Sequence, residues 1–150
     1  MANAVPNSFK VMLWKGQIEG LTDVFKIILM QPGFVFDQDS HHDYADVIAD
    51  ELPTGNGYIA GGATLAGISI DVNNVSDRVE VTFNNAQWDA TGGSLQASGA
   101  IIYNDSTLTS GGDDYTDAIV SYKDAGGDLL AVVGTPIIIS SIMETIEDKI

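Results

Sequence analysis

The sequence predicts a mainly β protein: an antiparallel β-sandwich or barrel-like single domain, with one short helix over about residues 42–52 and a candidate C-terminal helical turn. Three observations carry this reading. Short β-branched and apolar runs recur along the chain, separated by Gly, Asp and Asn turn signals. Only one stretch has a clear helical stripe. No strand–helix–strand alternation of the kind that builds a parallel sheet is present.

Taken in order, residues 9–18 read as a first β segment, in which apolar residues mix with Lys10, Lys15 and Gln17, with Gly20 close behind. Residues 24–31 are β-branched and apolar and end at the Pro32-Gly33 turn, and residues 34–36 form a short strand. In residues 42–52, Tyr44, Val47, Ile48 and Leu52 fall at helical spacing; Asp43 or Ser40 caps the start and Pro53 stops the run. After the turn signal Thr54-Gly55-Asn56-Gly57, strands are expected at 58–60, 64–72, 78–83 and 86–89. Strict alternation puts Val79, Val81 and Phe83 on an inward face and Glu80 and Thr82 on the outward one. Gly92-Gly93 leads into a strand at 99–104, followed by a polar loop at 105–114. Strands return at 118–123, 129–133 and 136–140, with Gly126-Gly127 as a hairpin turn. Ile142, Ile146 and Ile150, four apart, suggest the closing helical turn. The paired glycines are irregularly spaced and read as turns, not as units of a repeat. The expected organisation is an N-terminal arm (1–8), a β-domain (9–140) and a C-terminal tail (141–150).

A chain of 150 residues with 45% hydrophobic content is long enough to build one real core. Without cysteine it has no disulfide, thiolate metal site or cysteine nucleophile. Its apolar runs fall short of the roughly 20 residues of a membrane span, and no signal-peptide pattern opens it, so a soluble, unexported chain is expected. Six cations against 21 acids give a net charge of −15. Lys10, Lys15 and Lys26 fall within the first 26 residues, and between Ile27 and Tyr122 the only cation is Arg78. Such a chain is repelled by nucleic acid and by anionic membranes. The acidity serves solubility; alternatively it suits a salt-exposed surface or a basic partner.

Catalytic motifs are missing. The only histidines are the adjacent His41 and His42, and there is no Gly-x-Ser-x-Gly elbow, phosphate loop or His-Glu-x-x-His. The glycine-rich run Gly55-Asn56-Gly57 to Gly61-Gly62 has no following Lys and reads as a turn. Asp37, Asp39, His41, His42, Asp43 and Asp46 form an acidic cluster that imitates the opening of a calcium loop. It has His42 where that loop needs glycine and Ile48 where it needs glutamate, so a helix-capping acidic loop is expected in place of metal binding or catalysis. Asp113, Asp114 and Asp117 make a second such patch. Trp14, Tyr58, Trp88 and Tyr103 offer either an aromatic sugar platform or core packing, with packing the expectation. No catalytic, cofactor or metal residue is assigned.

Several ordered blocks resemble small virion structural proteins of tailed bacteriophages and prophages. They are residues 21–30, 33–37 and 51–58, then Gly61-Gly62 with 65–67, then 88–94, 99–105, 119–122 and 126–128. The resemblance covers about residues 21–130. It implies a non-enzymatic particle component without a cofactor, a capsid decoration or cement protein; the low cationic content argues against facing packaged DNA and favours the outer surface. Its implied partners are the major capsid protein and further copies of itself. No functional residue carries over, because these blocks are turn and strand signals. A glycan- or receptor-binding β-module of a head fibre or tail, using Trp14, Trp88 or the 105–114 loop, is the alternative. The less anionic N-terminal region and the apolar tail make Lys10, Lys15, Lys26, Ile142, Met143, Ile146 and Ile150 the candidate partner contacts. The competing expectation is that both termini fray or fold back on the domain.

Overall fold

The computed structural model describes residues 3–105, 115–140 and 142–147. It is mainly β and entirely antiparallel, a sandwich-like arrangement around one central sheet. That sheet has the order β2-β1-β6-β7, from β1 (Phe25–Met30), β2 (Ala63–Thr64), β6 (Leu95–Asn104) and β7 (Ile119–Ala131). Apart from Lys26, β1 is buried along its whole length. Ile27 and Leu29 enter the larger core cluster while Ile28 and Met30 enter the smaller one. A strand covered on both faces needs a continuous apolar run rather than an alternating one, and Phe25-Lys26-Ile27-Ile28-Leu29-Met30 is nearly that.

The larger cluster is closed by two small sheets. One has the order β3-β4-β9, from β3 (Ser69–Asn73), β4 (Arg78–Thr82) and β9 (Met143–Glu147); the other pairs β5 (Ala86–Asp89) with β8 (Pro136–Ile139). Phe83, Ala86, Trp88, Ile137 and Ile142 supply their share of the core. Phe9 and Met12 of helix α1 (Asn7–Trp14) also pack there. On the other side of the central sheet, Phe34, Phe36 and Val47 pack against Ile28, Ile101 and Tyr122. Val47 belongs to the one-turn helix α2 (Tyr44–Val47), which runs directly into a 3-10 turn over Ile48–Asp50.

Several expectations need correction. Residues 7–14 are helical, not β: Phe9 and Met12, three apart, are buried while Lys10, Val11 and Trp14 face out, so an apolar outer face masked the helical stripe. The expected C-terminal helical turn is instead strand β9, whose residues pair with β4 from Thr82↔Met143 to Arg78↔Glu147; Ile150 lies outside the described residues. The ladder outweighs a four-residue isoleucine spacing that no isolated helix of this length could sustain. Gly126-Gly127 is not a hairpin turn. Both flanks of β7 pair with the same strand, Asp124 opposite Gly99 and Leu129 opposite Ala97, so residues 125–128 form a wide bulge in one long strand. Both glycines have positive φ there.

Residues 34–36 bury Phe34 and Phe36 and expose Val35, an alternation with no ladder partner. Residues 58–60 belong to a turn, and the 64–72 run divides into β2 and β3. Along β4 every residue is half-buried, with Val81 packed on the core and Phe83 buried just beyond the strand. Residues 3–8 fold back on their own domain. Ala4 exchanges both backbone hydrogen bonds with Tyr122 (3.1 and 2.8 Å) on the outer edge of β7, and Ser8 is buried.

Candidate functional site

The most constrained polar cluster surrounds Glu51, at the end of the 3-10 turn. Glu51 lies beside β1: Leu52 donates its backbone N–H to the Leu29 carbonyl at 2.8 Å, and Gln31 donates to the Asp50 carbonyl at 2.8 Å. The Gln31 side chain donates to the Glu51 carbonyl at 2.9 Å. These bonds carry the Glu51 side chain into the interior, where the residue is 5% exposed. Its Oε1 accepts from the Tyr58 hydroxyl and from the Gly61 N–H, each at 2.7 Å, and its Oε2 accepts from the Tyr44 hydroxyl. Tyr58 Oη in turn accepts from Leu29 N at 3.1 Å. Tyr103 donates to the Gly61 carbonyl at 3.0 Å and stacks on Tyr44, with centroids 4.9 Å apart and planes 9° from parallel.

The glycine-rich run explains itself here. Gly55 and Tyr58 bond each other's backbone at 2.9 Å in both directions, turning the chain so that Gly61 N reaches Glu51. Gly62 sits at φ +71, and a Cβ there would lie 2.0 Å from the Ile27 carbonyl oxygen, so glycine alone fits against β1. A buried carboxylate is tolerated when hydrogen bonds replace its water. A general base must reach a substrate proton, whereas both oxygens of Glu51 meet protein donors in the interior. The cluster fastens α2 and the 51–62 loop onto the central sheet.

The tyrosines record the same environment. Burial first, and then the hydrogen bond to Glu51, push the Tyr44 and Tyr58 hydroxyls well above the usual phenol range. Burial with nearby Asp105 does so for Tyr103, while burial with nearby Asp124 raises the Tyr122 hydroxyl. In the unfolded chain these groups ionise near pH 10, whereas the folded protein holds them protonated. The unfolded state therefore binds fewer protons above that pH, and stability falls as pH rises beyond about 10 toward the folded values. Absorbance at 295 nm should show the Tyr44, Tyr58 and Tyr103 phenolates emerging together with unfolding above about pH 10. Their independent ionisation in a still-folded protein would contradict the packing of this cluster.

The acidic loop behaves as a capping loop. Asp43 and Asp46 form a reciprocal capping box at the start of α2. Asp37 accepts from Asp39 N at 2.9 Å and from Ser40 Oγ at 2.8 Å, contacts that hold its carboxyl below the usual range. His41 lies against Phe34 and Phe36, its Nδ1 accepting from Asp37 N at 3.1 Å, while His42 stacks on Tyr115. Among the described residues, no three metal-ligating side chains converge. In the second acidic patch, Asp113 and Asp114 lie outside the described residues. Asp117 has its carboxyl raised by burial and by nearby Asp105, and its backbone carbonyl accepts from Tyr44 N at 3.0 Å.

The four aromatics do not form a platform. Tyr58, Trp88 and Tyr103 are buried, and only Trp14 is open, at 94% exposure. The candidate contacts also separate. Lys10 and Lys15 are exposed on and just after α1, whereas Lys26 pairs with Asp105 at 3.1 Å. Ile142 is buried in the core rather than offered at the surface. Met143 and Ile146 are held in β9 opposite Thr82 and Val79. The Glu51 cluster itself escaped the sequence reading. Its one available signal was a glutamate placed seven residues from each of two tyrosines, beside the apolar Leu52. No family model, curated protein or solved structure matches the chain.

Proposed function

We propose that this chain is a non-enzymatic virion structural protein of a tailed bacteriophage, a decoration or cement protein bound to the outer face of the major capsid protein lattice. The observation that carries the reading is its charge polarity. Residues 1–26 hold three Lys against Glu19 and Asp23, a formal +1, while the remaining residues hold three cations against 19 acids, a formal −16. Exposed Lys10 on α1 and Lys15 just after it put part of that contrast at the molecule's first helix. A domain so polarised is steered α1-first onto an acidic lattice, with its anionic bulk toward the medium, and apolar contacts then supply affinity. The internal saturation of Glu51 suits a rigid module. The glycan- or receptor-binding alternative now rests on Trp14 alone among the four aromatics.

The test is co-sedimentation of the purified chain with undecorated particles. Binding should be saturable, and the double substitution Lys10→Glu/Lys15→Glu should weaken it about tenfold at low salt, with a smaller effect at high salt. Binding that ignores both substitutions would remove the polarity argument. Glycan-array signal without particle binding would favour the alternative.

A further inference from the structure

Helix α1 carries an outer face unlike the rest of this acidic molecule. Asn7, Lys10, Val11 and Trp14 follow one another at spacings of 3, 1 and 3 and so share a face, with Lys15 next at the helix end. Val11 is 50% exposed and Trp14 94% exposed, so the indole stands almost clear of the protein. Buried Phe9 and Met12 hold the helix from behind, and both of its ends are pinned. Asn7 donates its backbone N–H to the Gln38 carbonyl at 3.2 Å and its side-chain amide to Asp39 Oδ1 at 2.6 Å. At the other end the chain turns at Gly16, with φ +67, and buried Gln17 donates its N–H to the Met12 carbonyl at 3.0 Å. An aromatic side chain on so fixed a backbone loses little conformational entropy when a partner covers it.

Local charge selects the kind of partner. Helix α1 contains no acid, and the carboxylates nearest to it in structure or sequence are committed elsewhere. Asp39 accepts from Asn7, Glu19 Oε2 accepts from the Thr22 hydroxyl at 2.9 Å, and Asp23 Oδ2 accepts from Glu19 N at 2.9 Å and Asn104 Nδ2 at 2.6 Å. Lys10 donates to the neutral Asn7 Oδ1 at 3.1 Å, a bond that leaves its charge unmatched. By contrast, Lys26 pairs with Asp105 at 3.1 Å and Arg78 with Glu80 at 2.7 Å. A basic partner is drawn to the 19 acids outside residues 1–26, so the α1 face is distinguished only for an acidic one. An extended anionic surface such as a bilayer would also meet that acidic bulk. A discrete pocket on a protein meets α1 alone within the roughly 8 Å over which charge is unscreened.

We propose that Trp14 is the apolar anchor by which this chain holds the capsid lattice: its indole seats in an apolar, acid-rimmed pocket of the major capsid protein, with Lys10 and Lys15 over the rim. The inference rests on the virion reading above and adds to it which side chain holds the affinity. Tryptophan is enriched at the energetic centres of interfaces, where it fills a pocket on the partner. The two kinds of side chain then do different things. Rim lysines act at a distance and set the rate of approach, whereas a desolvated indole acts only on contact and sets the residence time.

Association and dissociation rates of the purified chain on immobilised undecorated particles separate the two. Trp14→Ala should speed dissociation about 30-fold or more at low and high salt alike, with the association rate and the melting temperature nearly unchanged. Lys10→Gln/Lys15→Gln should instead slow association several-fold at low salt and match the wild type at high salt. Trp14→Phe, which keeps a ring, should dissociate at a rate between wild type and Trp14→Ala. A wild-type chain that binds particles while Trp14→Ala dissociates no faster would overturn this inference alone and leave the virion reading standing. A wild-type chain that does not bind particles would overturn both. Self-association of the wild type that Trp14→Ala abolishes, with particle binding unaltered, would assign the face to a second copy and overturn the proposal. Insertion of Trp14 into phosphatidylserine vesicles, again with particle binding indifferent to Trp14→Ala, would assign it to a membrane and do the same.

Discussion

Glu51→Ala should lower the free energy of unfolding by about 3–5 kcal/mol, because two tyrosine hydroxyls and the Gly61 amide lose a charged acceptor in the interior. Most of that loss is the desolvation of donors left without a partner, not the net worth of the bonds themselves. Glu51→Gln keeps the shape and one acceptor oxygen but turns an N–H₂ toward a donor, so a smaller loss of about 1–3 kcal/mol is expected. Equilibrium urea unfolding measures both. The ordering Ala worse than Gln is the sensitive part: equal, small losses would mean that the carboxylate is not the acceptor at the centre of this cluster.

Phe83→Ala should cost about 3–5 kcal/mol. Phe83 is 8% exposed, meets the Phe25 ring edge-on at a centroid distance of 5.5 Å, and its N–H bonds the Ile142 carbonyl at 3.0 Å. It therefore ties the β3-β4-β9 sheet to the central one, and its removal leaves a cavity that neither sheet can collapse to fill. An unfolding midpoint unchanged by this substitution would contradict the burial of its ring. For the same reason, deleting residues 142–150 would strip β9 from β4 and Ile142 from the core, so that deletion disturbs the fold as well as any partner contact.

What the sequence made legible was local. The apolar run of 24–31, the strands at 86–89 and 136–140 and the Asp43 cap depend on near neighbours, and β1, β5, β8 and the capping box sit where those patterns put them. What it hid depends on partners distant along the chain. Residues 7–14 lost their helical signature because Val11 and Trp14 keep the outer face apolar. The tail became a strand because β4 offered an edge. The glycine pair at 126–127 signals φ > 0, a need that a bulge meets as well as a hairpin does. The donors to Glu51 lie within ten residues of it, at Tyr44, Tyr58 and Gly61, but their convergence in the interior depends on Leu29 of β1 and Tyr103 of β6, which hold Tyr58 and Gly61 in place.

The central proposal is that this chain is a bound structural component of a phage particle. Quantitative mass spectrometry of gradient-purified virions from a phage that encodes it tests this most directly. The account predicts that the chain stays with the particle through salt washing at physiological strength, at a fixed ratio to the major capsid protein. Virions that contain the major capsid protein and none of this chain would contradict it.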